Sequence, residues 1–209
     1  MLFNSLEFIV FFALVITTIV VIKNRKFQHL FLLAASYFFF IFSSNYLVSL
    51  LIFSTVLDFY IAQEIWKSTD SKKKKRLLII SIMGNLGLLG FFKYTDFGIS
   101  QFNSIAIALG QPEIPLLNII LPIGISFYTF QTLSYTIDVY RGNLEPSKSF
   151  KEFALFVAFF PQLVAGPIVR AKVFLPQLRE KMESGLGLYQ IIIKNRNLKF
   201  GITLVFIGL

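Results

Sequence analysis

The chain has 209 residues, 56% of them hydrophobic and 17% aromatic, and a mean hydropathy of +0.71, whereas a soluble domain is about 45–50% apolar, so lipid rather than water is the expected solvent. Lys and Arg number 20 against 11 Asp and Glu, a net charge of +9; these cations cluster beside apolar runs, where they orient a chain in a bilayer, and no nucleic-acid partner is expected. The absence of cysteine excludes disulfides, thiol catalysis and thiolate metal sites.

Leu2 to Ile22 is apolar apart from Asn4, Ser5, Glu7 and two threonines. Its length suits a bilayer core of ~30 Å at ~1.5 Å per residue. It lacks the basic start, short apolar core and small-residue cleavage pattern of a secretory signal, so an uncleaved first span is predicted. Lys23-Asn24-Arg25-Lys26 forms a short basic loop. From Leu30 to Ala62 the chain is apolar again; one helix over that stretch would be roughly 50 Å long, too long for a bilayer. Two spans hinged at Ser43-Ser44-Asn45 are expected instead. Asp58 falls in the second, near its basic end, and snorkelling to the interface is the simpler explanation for it.

Lys67 and the run Lys72-Lys73-Lys74-Lys75-Arg76 mark a second basic loop. Short loops rich in Lys and Arg stay in the cytoplasm. The two basic loops share a side if two spans separate them, which places the N-terminus outside. Leu77 to Phe92 is a fourth span. Lys93 to Asn118 is weakly acidic, and Asn103, Gly110, Pro112 and Pro115 are expected to break it into turns around a short interfacial helix.

Ile119 to Tyr140 is a fifth span of a different kind. Ser126, Thr129, Thr132 and Thr136 recur at near-helical steps and collect hydroxyls on one stripe, with Gln131 and Ser134 adding polarity. Such side chains bond neighbouring helices more often than they line a channel. Pro122 and Gly124 loosen the start of this span. At its end Asp138 and Arg141, three apart, can pair on a helical face.

Phe159-Phe160-Pro161-Gln162-Leu163-Val164-Ala165-Gly166-Pro167-Ile168 carries two prolines and a glycine inside an apolar run. Each proline removes a backbone donor. In lipid, irregular backbone persists only where protein or a wet cavity shelters it. An ordinary kinked span and a segment that shapes a site are both open on this pattern alone. Charge bears on the choice. Residues 141–152 are mildly basic, and residues 170–199 hold seven Lys/Arg against Glu180 and Glu183. Both flanks read as cytoplasmic, so Phe153–Ile168 is expected to enter and return on one side, turning at Pro161–Pro167. Ala171 to Tyr189 reads as an interfacial amphipathic helix, and Leu198 to Leu209 as the start of a further span. The expected fold is all-α, a polytopic membrane domain over 1–209 with about five spans, one re-entrant broken helix and interfacial helices, the sequence stopping inside a helix.

Five segments together resemble the membrane-bound O-acyltransferase family, in its branch similar to alginate O-acetylases and peptidoglycan O-acetyltransferases. They are Met1-Leu2-Phe3-Asn4-Ser5, Phe91-Phe92-Lys93-Tyr94, Leu121-Pro122-Ile123-Gly124-Ile125-Ser126-Phe127-Tyr128-Thr129-Phe130, Asp138-Val139-Tyr140-Arg141-Gly142 and Phe160-Pro161-Gln162-Leu163-Val164-Ala165-Gly166-Pro167-Ile168. Each alone is weak; five in the right order are specific. Gly185–Lys199 looks less typical of the family.

The resemblance implies a fold arranged around a funnel or tunnel, in a bacterial inner (cytoplasmic) membrane. It implies transfer of acyl groups, usually acetyl, from a donor such as acetyl-CoA to hydroxyls of an exported polysaccharide. A periplasmic or extracellular acetyltransferase partner protein is also implied. Family members extend well past this length, and their essential histidine lies in a later part, beyond Leu209. The residues agree with that gap. Acyl transfer to an alcohol needs a base and oxyanion donors. His29, the single histidine, lies beside Arg25 and Lys26 at a membrane edge and reads as incidental. No Gly-x-Ser-x-Gly elbow and no metal-ligand spacing is present. No catalytic residue, bound cofactor or metal is therefore assigned, and the part alone is expected to be inactive. The candidate site wall is Phe160, Pro161, Gln162, Ala165, Gly166, Pro167, Ser126, Tyr128, Thr129, Asp138 and Arg141. Arg170 is the candidate contact for the donor's phosphates, because a guanidinium suits phosphate oxygens. The alternatives are a transporter or flippase component, since broken helices also mark transport sites, and a structural subunit of a polysaccharide export complex.

Overall fold

A computed structural model describes residues 5–22, 24–44, 47–163 and 169–183, with 201 and 203. Among these residues the chain is helical and holds no strand. The order is α1 (Leu6–Val21), α2 (Arg25–Ser44), α3 (Val48–Lys67), α4 (Ser71–Ala108), α5 (Ile125–Tyr140), α6 (Phe150–Ala158), α7 (Phe160–Leu163) and α8 (Ala171–Glu183). Among the described residues three helices, α2, α3 and α4, are long and apolar enough to cross a membrane. The chain is a membrane protein. α1 is a shorter apolar helix of 16 residues, and α5 a more polar one of the same length, ~24 Å at ~1.5 Å per residue.

Local chemistry sets the helix ends. The Ser5 hydroxyl accepts from the Phe8 N–H at 3.3 Å, and the Asp70 carboxylate from the Lys72 N–H at 2.8 Å. The Ser149 hydroxyl accepts from the Glu152 N–H at 3.4 Å. These side chains occupy N-cap positions and satisfy donors that a helix start leaves free. The hinge expected at Ser43–Asn45 lies where α2 gives way to α3. α5 begins only at Ile125, because Gly124 sits at φ 75°, a left-handed conformation that glycine adopts without strain.

The expected end of the fourth span fails. The chain does not break after Phe92: α4 runs for 38 residues, to Ala108. Lys93 and Asp96 mark a change of solvent, and a helix tolerates that so long as no proline intervenes. The first, Pro112, lies beyond the helix end. Asn103 is not a breaker but a clamp. Its amide nitrogen donates to the Ile114 carbonyl at 2.8 Å and its amide oxygen accepts from the Ile114 N–H at 2.9 Å. About two turns away in α4's register, the Asp96 carboxylate accepts from the N–H groups of Leu117 and Ile119 at 2.9 and 2.8 Å. The non-helical stretch 111–122 is thus tied back along α4, and its far end donates from the Ile123 N–H to the Ser44 hydroxyl at 3.2 Å.

α3, α4 and α5 pack on one another, while α6 lies between α2 and the α3–α5 pair. The main core joins Leu51, Ile65, Tyr128, Tyr135, Phe153 and Phe156. A second cluster joins Val15, Ile19, Leu32, Phe39, Leu155 and Phe160 across α1, α2, α6 and α7. α3 and α4 approach closely at Gly84, where an added Cβ would stand 2.8 Å from Leu57 Cδ2. Leu57 is a flexible neighbour, so Gly84→Ala is expected to be tolerated. A β-branched Gly84→Ile is expected to destabilise the α3–α4 contact by about 1–3 kcal/mol, the usual range for overpacking, read as a lowered unfolding midpoint in detergent.

Candidate functional site

The broken element is built from an accounting of backbone groups. In a continuous helix the Phe160 N–H would bond the Phe156 carbonyl. Pro161 forbids the next bond of that ladder, since it has no N–H for the Val157 carbonyl and its ring would clash with that carbonyl, and the helix breaks ahead of it, which parts the Phe160 N–H from the Phe156 carbonyl. The helix stops at Ala158, and Phe159 takes φ −58°, ψ 104°. Two side chains then take over. Gln131 Nε2 of α5 donates to the Phe156 carbonyl at 2.8 Å, and also to Gln162 Oε1 at 3.3 Å. The Phe160 N–H donates to the Ser36 hydroxyl of α2 at 3.4 Å. The Gln162 N–H bonds the Phe159 carbonyl at 3.0 Å and closes the short turn of α7. Gln131 is 4% exposed and Ser36 is fully buried, so water does not compete for these bonds.

The approach to the break is fixed as well. The Ser147 carbonyl accepts from Gln63 Nε2 at 2.7 Å, and the Ser147 N–H donates to the Tyr135 hydroxyl at 3.0 Å. Tyr135 and Phe153 rings lie 4.3 Å apart. Phe160 is 2% exposed and meets the rings of Phe11, Phe12 and Phe39 at 5.2, 6.3 and 5.7 Å.

The hydroxyl stripe of α5 leads to a second polar centre. Asp58 is fully buried midway along α3, so it does not snorkel. α3 continues past Ala62 to Lys67, which leaves Asp58 too far from the basic end to reach water. Its carboxylate accepts from the Ser81 hydroxyl, from Asn85 Nδ2 at 2.8 Å and from the Thr136 hydroxyl at 3.0 Å. The Thr132 hydroxyl donates to Asn85 Oδ1 at 3.4 Å. This node locks α3, α4 and α5 in one register, a packing role for Thr132 and Thr136.

The sequence-derived wall residues fall as follows. Phe160, Pro161 and Gln162 form the turn after the break. Tyr128 and Thr129 are each 1% exposed. Ser126 is half-buried on the first turn of α5. The Tyr128 ring packs edge-on against Phe40 at 6.2 Å, and its hydroxyl has no hydrogen-bond partner among the described residues. Asp138 is 8% exposed, and Arg141 is exposed at the C-cap of α5. No ion pair joins them among the described residues. Arg141 still follows the helical turn, its N–H bonded to the Ile137 carbonyl at 3.0 Å, but it is exposed while Asp138 is buried. Arg170 is exposed just before α8, and its carbonyl accepts from the N–H groups of Val173 and Phe174. Ala165, Gly166 and Pro167 lie outside the described residues. Sequence reasoning missed Ser36, Ser81 and Asn85. Ser81 and Asn85 stand four apart on α4, a spacing that marks one helical face.

The fold and this site define a polytopic helical membrane protein with an interrupted helix whose freed backbone is bonded from neighbouring helices. Over 135 residues the chain is 41% identical to the "Probable alginate O-acetylase AlgI" of Pseudomonas aeruginosa, covering 63% of this chain and 26% of that protein. The protein of the same name from Pseudomonas syringae pv. tomato is 36% identical over 135 residues, 64% of this chain and 26% of its own. The peptidoglycan O-acetyltransferase of Helicobacter pylori is 35% identical over 184 residues, 77% of this chain and 33% of its own. No family model matches the chain, and no solved structure does. The chain is a homologue of these O-acetylases, in keeping with the membrane-bound O-acyltransferase resemblance of its motifs. It spans about a quarter to a third of the length of these relatives.

Replacing Asp58 by Leu strands three buried donors. A loss of about 2–5 kcal/mol is expected, since each unsatisfied buried group costs about 1–3 kcal/mol. Asp58→Asn keeps one acceptor oxygen for the Ser81 and Thr136 hydroxyls but sets an amide NH2 against Asn85 Nδ2, and is expected to cost less than Asp58→Leu in the same detergent unfolding series. Gln131→Leu leaves the Phe156 carbonyl unbonded and is expected to cost about 1–3 kcal/mol; Gln131→Glu is not a fair control, because it also removes the donor.

Proposed function

We propose that the chain supplies part of a membrane O-acyltransferase, which moves acetyl groups from a donor such as acetyl-CoA to hydroxyls of an exported polysaccharide or cell-wall glycan. The similarity to alginate and peptidoglycan O-acetylases carries this reading. In the reaction the donor's carbon–sulfur bond breaks and a carbon–oxygen ester bond forms. The acceptor hydroxyl gives its proton to a base, and the departing thiolate takes one up. This part holds no assigned base; its contribution is a wall and the placement of the donor. Phe160, Pro161 and Gln162, with Ala165, Gly166 and Pro167, would form the inner turn, and Ser126, Tyr128, Thr129, Asp138 and Arg141 the adjoining face. Arg170 would meet donor phosphates from the cytoplasmic side.

The membrane reading that goes with it has five crossings, α1 to α5, with the N-terminus outside, and a re-entrant α6–α7. Two observations support the dip. Lys151 and Glu152 share a cavity with Lys26 and His29 at the start of α2, and Phe160 bonds Ser36 midway along α2. α6 therefore runs beside α2 in the same direction and stops at half its length. α8 then runs back, with Phe174 against Phe156 and Phe159, and Leu178 in the cluster of Leu155 and Leu32.

The test uses the complete protein in cells. Loss of the gene is expected to remove the ester-linked acetate released by mild alkali from the exported glycan while the amount of glycan persists. Unchanged acetate with less exported glycan would favour transport instead. Arg170→Ala in the complete protein is expected to raise the KM for the acyl donor; an unchanged donor affinity removes Arg170 from the site.

A further inference from the structure

α5 and α6 run antiparallel and meet pair by pair up to the break. The Tyr135 ring lies 4.3 Å from that of Phe153, and one turn further Gln131 Nε2 bonds the Phe156 carbonyl at 2.8 Å. The next residue of α5 on that face is Tyr128, at helical spacing from both Gln131 and Tyr135. At that level α6 has already stopped, and Phe160 has turned away to the rings of Phe11, Phe12 and Phe39. On α2 the same level belongs to Phe40, one turn past Ser36, whose hydroxyl holds the Phe160 N–H. The Phe40 and Tyr128 rings meet there edge-on, their centroids 6.2 Å apart. Tyr128 therefore stands just past the broken end of α6.

Its hydroxyl is a donor without an acceptor. Tyr128 is 1% exposed, and the hydroxyl has no hydrogen-bond partner among the described residues. Its neighbours on the same face are satisfied. Gln131 Nε2 gives its two hydrogens to the Phe156 carbonyl and Gln162 Oε1, and the Tyr135 hydroxyl accepts from the Ser147 N–H. A phenylalanine at 128 would fill the same space and leave no buried donor bare. A bare hydroxyl at a helix break calls for an acceptor that arrives from outside the protein. A phenol offers one O–H, which suits a single oxygen. In acyl transfer that oxygen exists: the acyl carbonyl gains negative charge as the acceptor attacks, and a fixed donor shielded from water holds it best.

We propose that Tyr128 is a catalytic residue of the acyl transfer, its hydroxyl donating to the acyl carbonyl oxygen as that oxygen becomes an oxyanion. The inference rests on the O-acyltransferase reading. The acceptor oxygen forms the new carbon–oxygen bond and passes its proton to the base. The carbon–sulfur bond then breaks, the carbonyl re-forms, and the thiolate takes up a proton. Tyr128 keeps its own proton throughout.

The test compares the complete protein with its Tyr128→Phe variant in inverted vesicles from cells that express each. The vesicles are fed labelled acetyl-CoA, and ester-linked acetate on the glycan is the product, normalised to the amount of protein. The variant is expected to lose about 10²-fold in kcat, the usual loss for one oxyanion donor, with the KM for acetyl-CoA unchanged. Its unfolding midpoint in detergent is expected to hold or rise, because a bare polar atom has been removed. An unaltered kcat would mean that the hydroxyl meets only a buried water and would overturn the proposal. A lowered midpoint would overturn it too, since the protein itself would then supply the acceptor. A loss confined to KM would reduce Tyr128 to a binding residue and equally defeat the catalytic role. Those three results leave the O-acyltransferase reading standing; no transfer in native vesicles would overturn that reading and the proposal together.

Discussion

An N–H and a carbonyl that would bond each other in an unbroken helix, those of Phe160 and Phe156, are parted by the break ahead of Pro161 and bonded elsewhere. Neither group can be left bare, because hydrocarbon offers no substitute for water. Gln131 from α5 and Ser36 from α2 supply the missing partners at 2.8 and 3.4 Å. The element α6–α7 exists only where those two helices flank it, and so the placement of α2 and α5 becomes a condition of the break. The Asp58 node meets that condition for α5, since Thr132 and Thr136 hold it to α3 and α4 while Gln131, on an adjacent face, reaches the other way. For α2 the condition is met by close aromatic packing around Phe39 and Phe160.

This chain of dependence explains the distribution of polar residues in a sequence so rich in phenylalanine. Buried polar groups are costly in lipid unless satisfied. Among the described residues many of those present lie at the node, at the break, and at Asn103, which with the half-buried Asp96 ties a segment along α4. Each fixes backbone that would otherwise be free to move.

Much of this was legible in the sequence. The basic loops and the polar interruption at Ser43–Asn45 predict the α2–α3 hairpin, and the threonine spacing on α5 predicts a polar face. Pro161 announces the break. Other features were not legible, for physical reasons. The end of an apolar run is not the end of a helix, so α4 was cut at Phe92 although nothing in its backbone chemistry stops it there. Asp58 looked close to the interface because its span was ended too soon, at Ala62. Ser36, Ser81 and Asn85 are single polar residues in apolar helices, and only the three-dimensional neighbourhood tells which bond they make. The Asp138–Arg141 spacing suggested a pair, yet Asp138 is buried and Arg141 is exposed.

The account turns on whether α6–α7 enters and leaves on one face of the bilayer. The chain lacks cysteine, so single cysteines can be introduced at two exposed flanks, Lys148→Cys before the break and Lys172→Cys after it. A membrane-impermeant maleimide applied to sealed right-side-out and inverted vesicles then reports their sides. The account predicts that both positions react in the same vesicle orientation and neither in the other. Reaction of one in each orientation would make the segment a full crossing and contradict it.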